Sequence, residues 1–193
     1  LTKFLIIGLG TIGYRHFESL YNSNNKFYID CYDISKKSRD RVYNSLNSQK
    51  KHKVKIIKSL NELDIKYDFL INATSSDVRL NILKKILRKT KFKFVILEKI
   101  LAQSVSDLRR LKLISKNFKK CWVNTPMHEL ELYKKLKKKI NINKVKKIEF
   151  NYFDGLACNA IHFIDFVSTW KKKLPIRINN SNLEDWYISK RKG

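Results

Sequence analysis

Apolar positions along the chain recur with two alternating periods. Residues 3–7 form a short apolar run, and residues 11–21 then place Ile12, Phe17 and Leu20 on one helical stripe. A β-rich run, Phe27 to Tyr32, follows the polar break at 22–25, and a helical pattern over 35–46 comes after it. The alternation repeats, with strands at 54–57, 69–72, 92–97 and 121–124 and helices from Ser59 or Asn61, over 77–88 and over 104–117. Units of this kind close right-handed crossovers between parallel strands, so residues 1–124 read as an α/β domain built on a doubly wound parallel sheet.

After Pro126 the rhythm changes. A lysine-rich helix is expected over 129–139, and Ile148, Phe150 and Tyr152 alternate as a half-buried strand over 145–153 would. Residues 158–167 have so little polar surface that a helix there needs cover on most sides, and one short strand is expected near 176–178. Residues 125–193 therefore read as the start of a truncated α+β second domain.

The glycine spacing adds chemistry to this pattern. Gly8, Gly10 and Gly13 follow a strand and open a helix, where backbone N–H groups point toward an anion, the geometry of a Rossmann-type dinucleotide-binding turn. Glycine also serves ordinary tight turns, so the triplet alone is weak; its context strengthens it. Asp33 stands at the end of the second strand, 20 positions past Gly13, where a carboxylate accepts hydrogen bonds from the adenine-ribose hydroxyls and disfavours a 2′-phosphate. NAD is the expected cofactor, ahead of NADP. The plainer reading of Asp33 is a loop carboxylate or a helix N-cap. Ala73-Thr74-Ser75-Ser76 ends a strand and can cap the next helix or line a cleft, and Glu98-Lys99 lies at a strand's carboxyl edge, where open α/β sheets place ligands.

Charge and cysteine content narrow the alternatives. The formal charge of +25 is of the size that marks nucleic-acid or anionic-membrane binding. Its lysines are scattered, from Lys50 and Lys51 through Lys84 and Lys85 to Lys171–Lys173, with no recognition motif of interleaved aromatics. A solvated basic surface is the expectation, and a nucleic-acid binder the lesser alternative. No apolar run approaches the roughly 20 residues that span a bilayer, and the N-terminus carries a strand rather than a secretory signal, so no membrane role and a cytoplasmic location are expected. Cys31, Cys121 and Cys158 are odd in number and lack paired spacing, which suits reduced thiols better than disulfides or a CxxC zinc site. Cys158, His162 and Asp165 share one helical face but lack a fourth ligand at recognisable spacing, so no metal is expected.

Four stretches together resemble the Gfo/Idh/MocA family of NAD(P)-dependent oxidoreductases. They are GLGTIGYRH (8–16), Asp33, LEKIL (97–101) against the family's E-K-P, and GLACNAIHFID (155–165) against its D-x-x-x-H and H-x-x-D helix. The resemblance implies hydride transfer between nicotinamide and a carbinol carbon of a sugar, sugar nucleotide or cyclitol. The terminal SKRKG is similar to members linked to surface-polysaccharide synthesis. By matching position, Lys99 and His162 are the implied catalytic pair, and Lys99, His162 and Asp165 the implied substrate contacts. Gly8, Gly10, Thr11, Ile12, Gly13, Asp33, Thr74, Ser75, Glu98 and Lys99 are the implied cofactor contacts. Unaided, His162 reads as a core histidine and Lys99 as a surface lysine at a strand end. Family members run well past this length and associate through a second sheet, so this chain reads as an N-terminal portion, with homo-oligomers expected of a full-length form. A catalytically inactive nucleotide-binding fragment is the alternative. Ile100 replaces the family's proline, and a trans Lys99–Ile100 bond is expected because a non-prolyl cis bond costs about 2.5–4 kcal/mol. Cys158 stands where the D-x-x-x-H pattern has its acid, and His128 reads as a helix-start residue.

Overall fold

The computed structural model describes residues 1–47, 52–150 and 156–170, the side chains of 156–158 excepted. The chain divides into two compact units, Leu1–Asn124 and Thr125–Gly193.

The first unit runs β1 (Thr2–Ile7), α1 (Thr11–Tyr21), β2 (Phe27–Tyr32), α2 (Lys36–Asn44), β3 (Lys53–Ile57), β4 (Lys66–Asn72), α3 (Ser76–Leu87), β5 (Lys91–Leu97), α4 (Val105–Ser115) and β6 (Lys120–Val123). All pairings are parallel, in the order β3-β2-β1-β4-β5-β6. The fold is thus the Rossmann-type α/β sheet that the strand and helix alternation predicts. Both sheet faces are covered, which is why the strands read as continuous apolar runs. Leu5 and Ile7 join Leu70, Leu83, Ile86 and Val95 in one core, while Phe4 and Ile6 join Phe17, Ile29 and Val42 in the other. Phe4, Phe69 and Phe94 are in register on neighbouring strands and stack at 4.8 Å centroid spacing. Serine caps set two helix starts: Ser35 Oγ accepts from Ser38 N at 3.3 Å and Ser104 Oγ from Asp107 N at 3.1 Å. Cys31 and Cys121 are free thiols pushed up by burial, Cys121 to about 11, so neither is a thiolate at neutral pH.

In the second unit, a 3-10 turn (Pro126–Glu129) precedes α5 (Glu131–Lys139), and α6 (Leu156–Ser168) follows a second short turn, Ile142–Lys144. Phe166 of α6 is 2% exposed, with ring centroids 4.7 Å from Tyr133 and 4.6 Å from Trp170. The strand expected over 145–153 does not form where it is described: residues 145–150 have no regular structure. An alternating run becomes a strand only when a neighbour takes up its backbone hydrogen bonds; here Phe150 instead packs on Phe163 of α6 at 4.5 Å. The rest of that run and the expected strand at 176–178 lie outside the described residues.

At the junction of β1 and α1 the backbone packs too closely for a side chain. A Cβ built on Gly13 would lie 1.7 Å from the Gly8 carbonyl oxygen and 3.2 Å from the Ala73 Cβ. Gly13→Ala should therefore cost at least about 3 kcal/mol and lower the melting temperature by about 5 °C or more, measured by calorimetry or circular dichroism.

Candidate functional site

The sheet order reverses between β1 and β4, and loops leaving the strands' carboxyl ends on either side of such a point form a crevice. Residues 8–13, Asp33, residues 73–76, residues 98–100 and Asn124 all lie on this edge.

The glycine loop is shaped for two purposes. Gly8 has φ 85°, and a Cβ there would approach the Ala73 carbonyl carbon and the Thr74 nitrogen to 2.8 Å, so Gly8 and Gly13 together allow close packing of backbone. Gly10 is different: a Cβ there would meet nothing within 4 Å. It opens to space at the start of α1, whose first turn has no side-chain cap and no acidic residue. The amides of Thr11, Ile12 and Gly13 have no acceptor inside the helix, and the positive end of the helix dipole points outward there. A pyrophosphate fits this surface in shape and in charge.

Asp33 is held firmly beside the loop. Its Oδ2 accepts from Leu9 N at 2.6 Å and its Oδ1 from Ser35 N at 2.7 Å. Each oxygen keeps a second lone pair for another donor. The helix cap at this point is Ser35, so Asp33 fills the loop-carboxylate part of its plainer reading and not the cap. Two arginines that sequence reasoning passed over complete the clasp. Arg39 Nη1 donates to the carbonyls of Asp33 at 2.6 Å and Ile34 at 3.1 Å. Arg41 Nη2 donates to those of Leu9 at 2.5 Å and Gly10 at 3.0 Å, with its guanidinium 4.2 Å from the Tyr14 ring centroid. Their basic side chains on α2 were visible, but the carbonyls that Arg41 reaches, those of Leu9 and Gly10 in the preceding crossover unit, were not.

Past β4, Thr74 donates to Asn72 Oδ1 through its amide at 3.2 Å and its hydroxyl at 2.7 Å, turning the loop across the edge. Ser75 is at the N-cap position of α3, yet its hydroxyl hydrogen-bonds the Asp77 carboxylate and no backbone amide, and this contact holds that carboxyl below the usual range.

Past β5, Glu98 is 5% exposed. Its Oε1 meets His16 Nε2 at 2.6 Å and accepts from Asn124 Nδ2, linking α1, β5 and the end of β6. Burial works to raise this carboxyl; the His16 and Asn124 hydrogen bonds and the His16 and Arg79 charges outweigh it and hold it below the usual range. His16 lies inside the glycine motif, but only the fold brings it to Glu98, 82 residues on. Lys99 is half-buried at the same edge. The Lys99–Ile100 bond is cis, where trans was expected. The expectation rested on the local preference of a non-prolyl bond; in the folded chain Arg79 donates to the Ile100 carbonyl, and tertiary contacts decide the geometry.

In the second unit, His162 and Asp165 lie on α6, both half-buried. Asp165 Oδ2 is 2.6 Å from His128 Nδ1, and His128 Nε2 is 3.5 Å from Glu129 Oε1. His128 is therefore more than the helix-start residue expected: it sits in the 3-10 turn Pro126–Glu129 and pairs with the carboxylate that the family pattern singles out.

The first unit is in class a dinucleotide-binding Rossmann domain. Residues 2–125 match the sequence profile described as "Oxidoreductase family, NAD-binding Rossmann fold", and the chain belongs to this Gfo/Idh/MocA family, whose cofactor is NAD. No curated protein matches the chain. Among solved structures, the chain is similar to myo-inositol dehydrogenase from Lactobacillus casei in complex with NAD(H) and myo-inositol, at TM-score 0.64 and 17% identity over 89% of this chain and 55% of that one. It is similar to a dehydrogenase from Clostridium difficile at TM-score 0.62 and 19% identity over 89% and 57%. An NAD-binding protein from Listeria innocua gives TM-score 0.62 and 17% identity over 86% and 53%. At such identities the likeness is one of fold. The chain spans about half the length of these structures. Among the described residues, no helix is long and apolar enough to cross a membrane.

The Glu98 contacts set a pH dependence. Because its folded pKa is below the unfolded value of about 4.3, its contribution to stability is present above that value and is lost as pH falls through the folded pKa. Glu98→Gln should therefore destabilise the domain by about 1–3 kcal/mol at pH 7. The gap from wild type should shrink steadily below pH ~4, as read by urea denaturation across pH; a gap of constant size would count against the ionised carboxylate.

Proposed function

We propose that the chain supplies the NAD-holding part, and the reacting lysine and histidine, of an oxidoreductase acting on a carbinol carbon of a sugar, sugar nucleotide or cyclitol, with surface-polysaccharide assembly as its setting. The observation that carries the cofactor part is the open side of Gly10 at an uncapped, acid-free helix start, next to a carboxylate fixed by the Leu9 amide. The sugar or cyclitol class is supported by the motif resemblance and by the myo-inositol named for one fold neighbour. When bound, nicotinamide takes or gives the hydride.

The chain's own residues do the rest. Gly8, Gly10, Thr11, Ile12 and Gly13 hold the pyrophosphate on backbone amides, and Asp33 accepts the adenine-ribose hydroxyls. Thr74, Ser75, Glu98 and Lys99 line the other half of the crevice. Lys99 donates to the reacting oxygen and stabilises negative charge developing there. His162 takes or returns the hydroxyl proton, a task suited to imidazole near neutral pH. Asp165, oriented by His128 at 2.6 Å, receives a substrate hydroxyl.

Two substitutions test the assignment. Asp33→Ser should weaken NAD by about tenfold, the loss of a charge-assisted hydrogen bond, and weaken NADP less. Calorimetric titration of both dinucleotides reads this, and an unchanged ratio of affinities removes Asp33 from the site. His162→Ala should lower kcat by about 10²–10⁴ while NAD affinity stays within about twofold. Normal turnover by that variant sinks the acid/base role. Turnover by the unaltered chain with polyols and sugar nucleotides separates an oxidoreductase from a protein that only binds the nucleotide.

A further inference from the structure

One buried cation on the crevice edge has no part in the scheme above. Arg79 lies one turn into α3, on the face that also buries Leu80, Leu83 and Ile86, and is 2% exposed. A guanidinium in that place is costly unless its donors are used, and an apolar side chain would suit the core better. Its donors are used in a specific way. Nη2 donates to the Thr74 carbonyl in the loop after β4, and Nη1 donates to the Ile100 carbonyl in the turn after β5. Its Nε is buried and makes no hydrogen bond. Burial lowers its pKa to about 10, while the nearby Glu98 and Asp77 carboxylates oppose that shift, so it stays charged at neutral pH.

These two carbonyls belong to the two loops across the β1/β4 switch point from Asp33. A dinucleotide whose adenosine meets Asp33 and whose pyrophosphate meets Gly10 has to cross β1 and put its nicotinamide ribose and ring against the loops after β4 and β5. A single planar fork bonded to both loops fixes the width between them, which no single ammonium can do with the same geometry. We infer that Arg79 is a positioning residue for the nicotinamide half of the crevice, holding the Thr74 loop and the Lys99–Ile100 turn at the separation that half requires. The inference rests on the NAD-binding reading above and adds to it a residue that touches neither cofactor nor substrate.

The test compares two ligands that share the adenosine and pyrophosphate half. NADH and ADP-ribose are titrated calorimetrically into the 193-residue chain and its Arg79→Met and Arg79→Lys variants, and the fluorescence of bound NADH is recorded. Arg79→Met should weaken NADH by about tenfold and reduce its fluorescence gain on binding, with ADP-ribose unchanged within about twofold. Arg79→Lys, whose ammonium reaches one carbonyl at a time, should fall between wild type and Arg79→Met. Equal weakening of both ligands would mark a purely structural role and overturn the inference, as would no change in either. If Arg79→Met fails to fold by circular dichroism, the same comparison on Arg79→Lys decides. Wild-type chain that binds neither ligand overturns the NAD reading and this role with it; wild type that binds both while the variants match it overturns only the role of Arg79.

Discussion

The architecture of the first unit depends on one backbone-to-backbone approach. Gly13 lies so close to the Gly8 carbonyl that no side chain fits between them, and Gly8, at positive φ, leaves no room for a Cβ against the backbone of Ala73 and Thr74. Three segments, the end of β1, the start of α1 and the end of β4, thereby meet with little but main chain at the contact, the Ala73 methyl being the side chain there. The consequence is positional: α1 begins directly over the sheet edge, and its first-turn amides face the crevice instead of being buried by a bulky turn. Asp33 and Arg41 brace the same loop from the β2 side through its Leu9 amide and its Leu9 and Gly10 carbonyls, and Arg39 in turn holds the Asp33 carbonyl.

Polar side chains pair at both ends of the strands but do different things. At the amino end, Tyr67 donates to Asp30 at 2.7 Å, and Lys3 pairs with Asp64 and lies 4.0 Å from Asp30, a set that closes on itself. At the carboxyl end, Glu98 and Arg79 each reach from one element to the backbone or side chains of others: Glu98 to α1 and the end of β6, Arg79 to the loops after β4 and β5. A satisfied network at the amino end stabilises the sheet, whereas the carboxyl-end contacts set the spacing of the crevice walls. This division follows from the fold, because parallel strands expose their connecting loops to ligands at one end only.

Much of this was legible in the chain. The apolar runs covered on both sheet faces, the glycine triplet and the carboxylate after β2 are local patterns, and each lies where its pattern placed it: α1 and β2 match residue for residue, and the other strands of the sheet within a few positions. The partners of His16, Arg41, Arg79 and His128 were not legible, since each contact joins residues far apart in sequence and leaves no periodic trace. The alternation at Ile148 and Phe150 was legible but misleading, because period-two burial arises equally from packing on a helix.

By itself the sequence determined the fold class, the order of the elements and the phosphate-binding turn, because hydrophobic period and glycine stereochemistry act over a few residues and need no partner. Tertiary structure alone decided which polar side chains became fixed at the edge of the crevice, the cis geometry at Lys99–Ile100, and the pairing of His128 with Asp165. Those outcomes depend on carbonyls, amides and carboxylates that distant segments bring together, and burial makes each such group find a partner that local preference does not name.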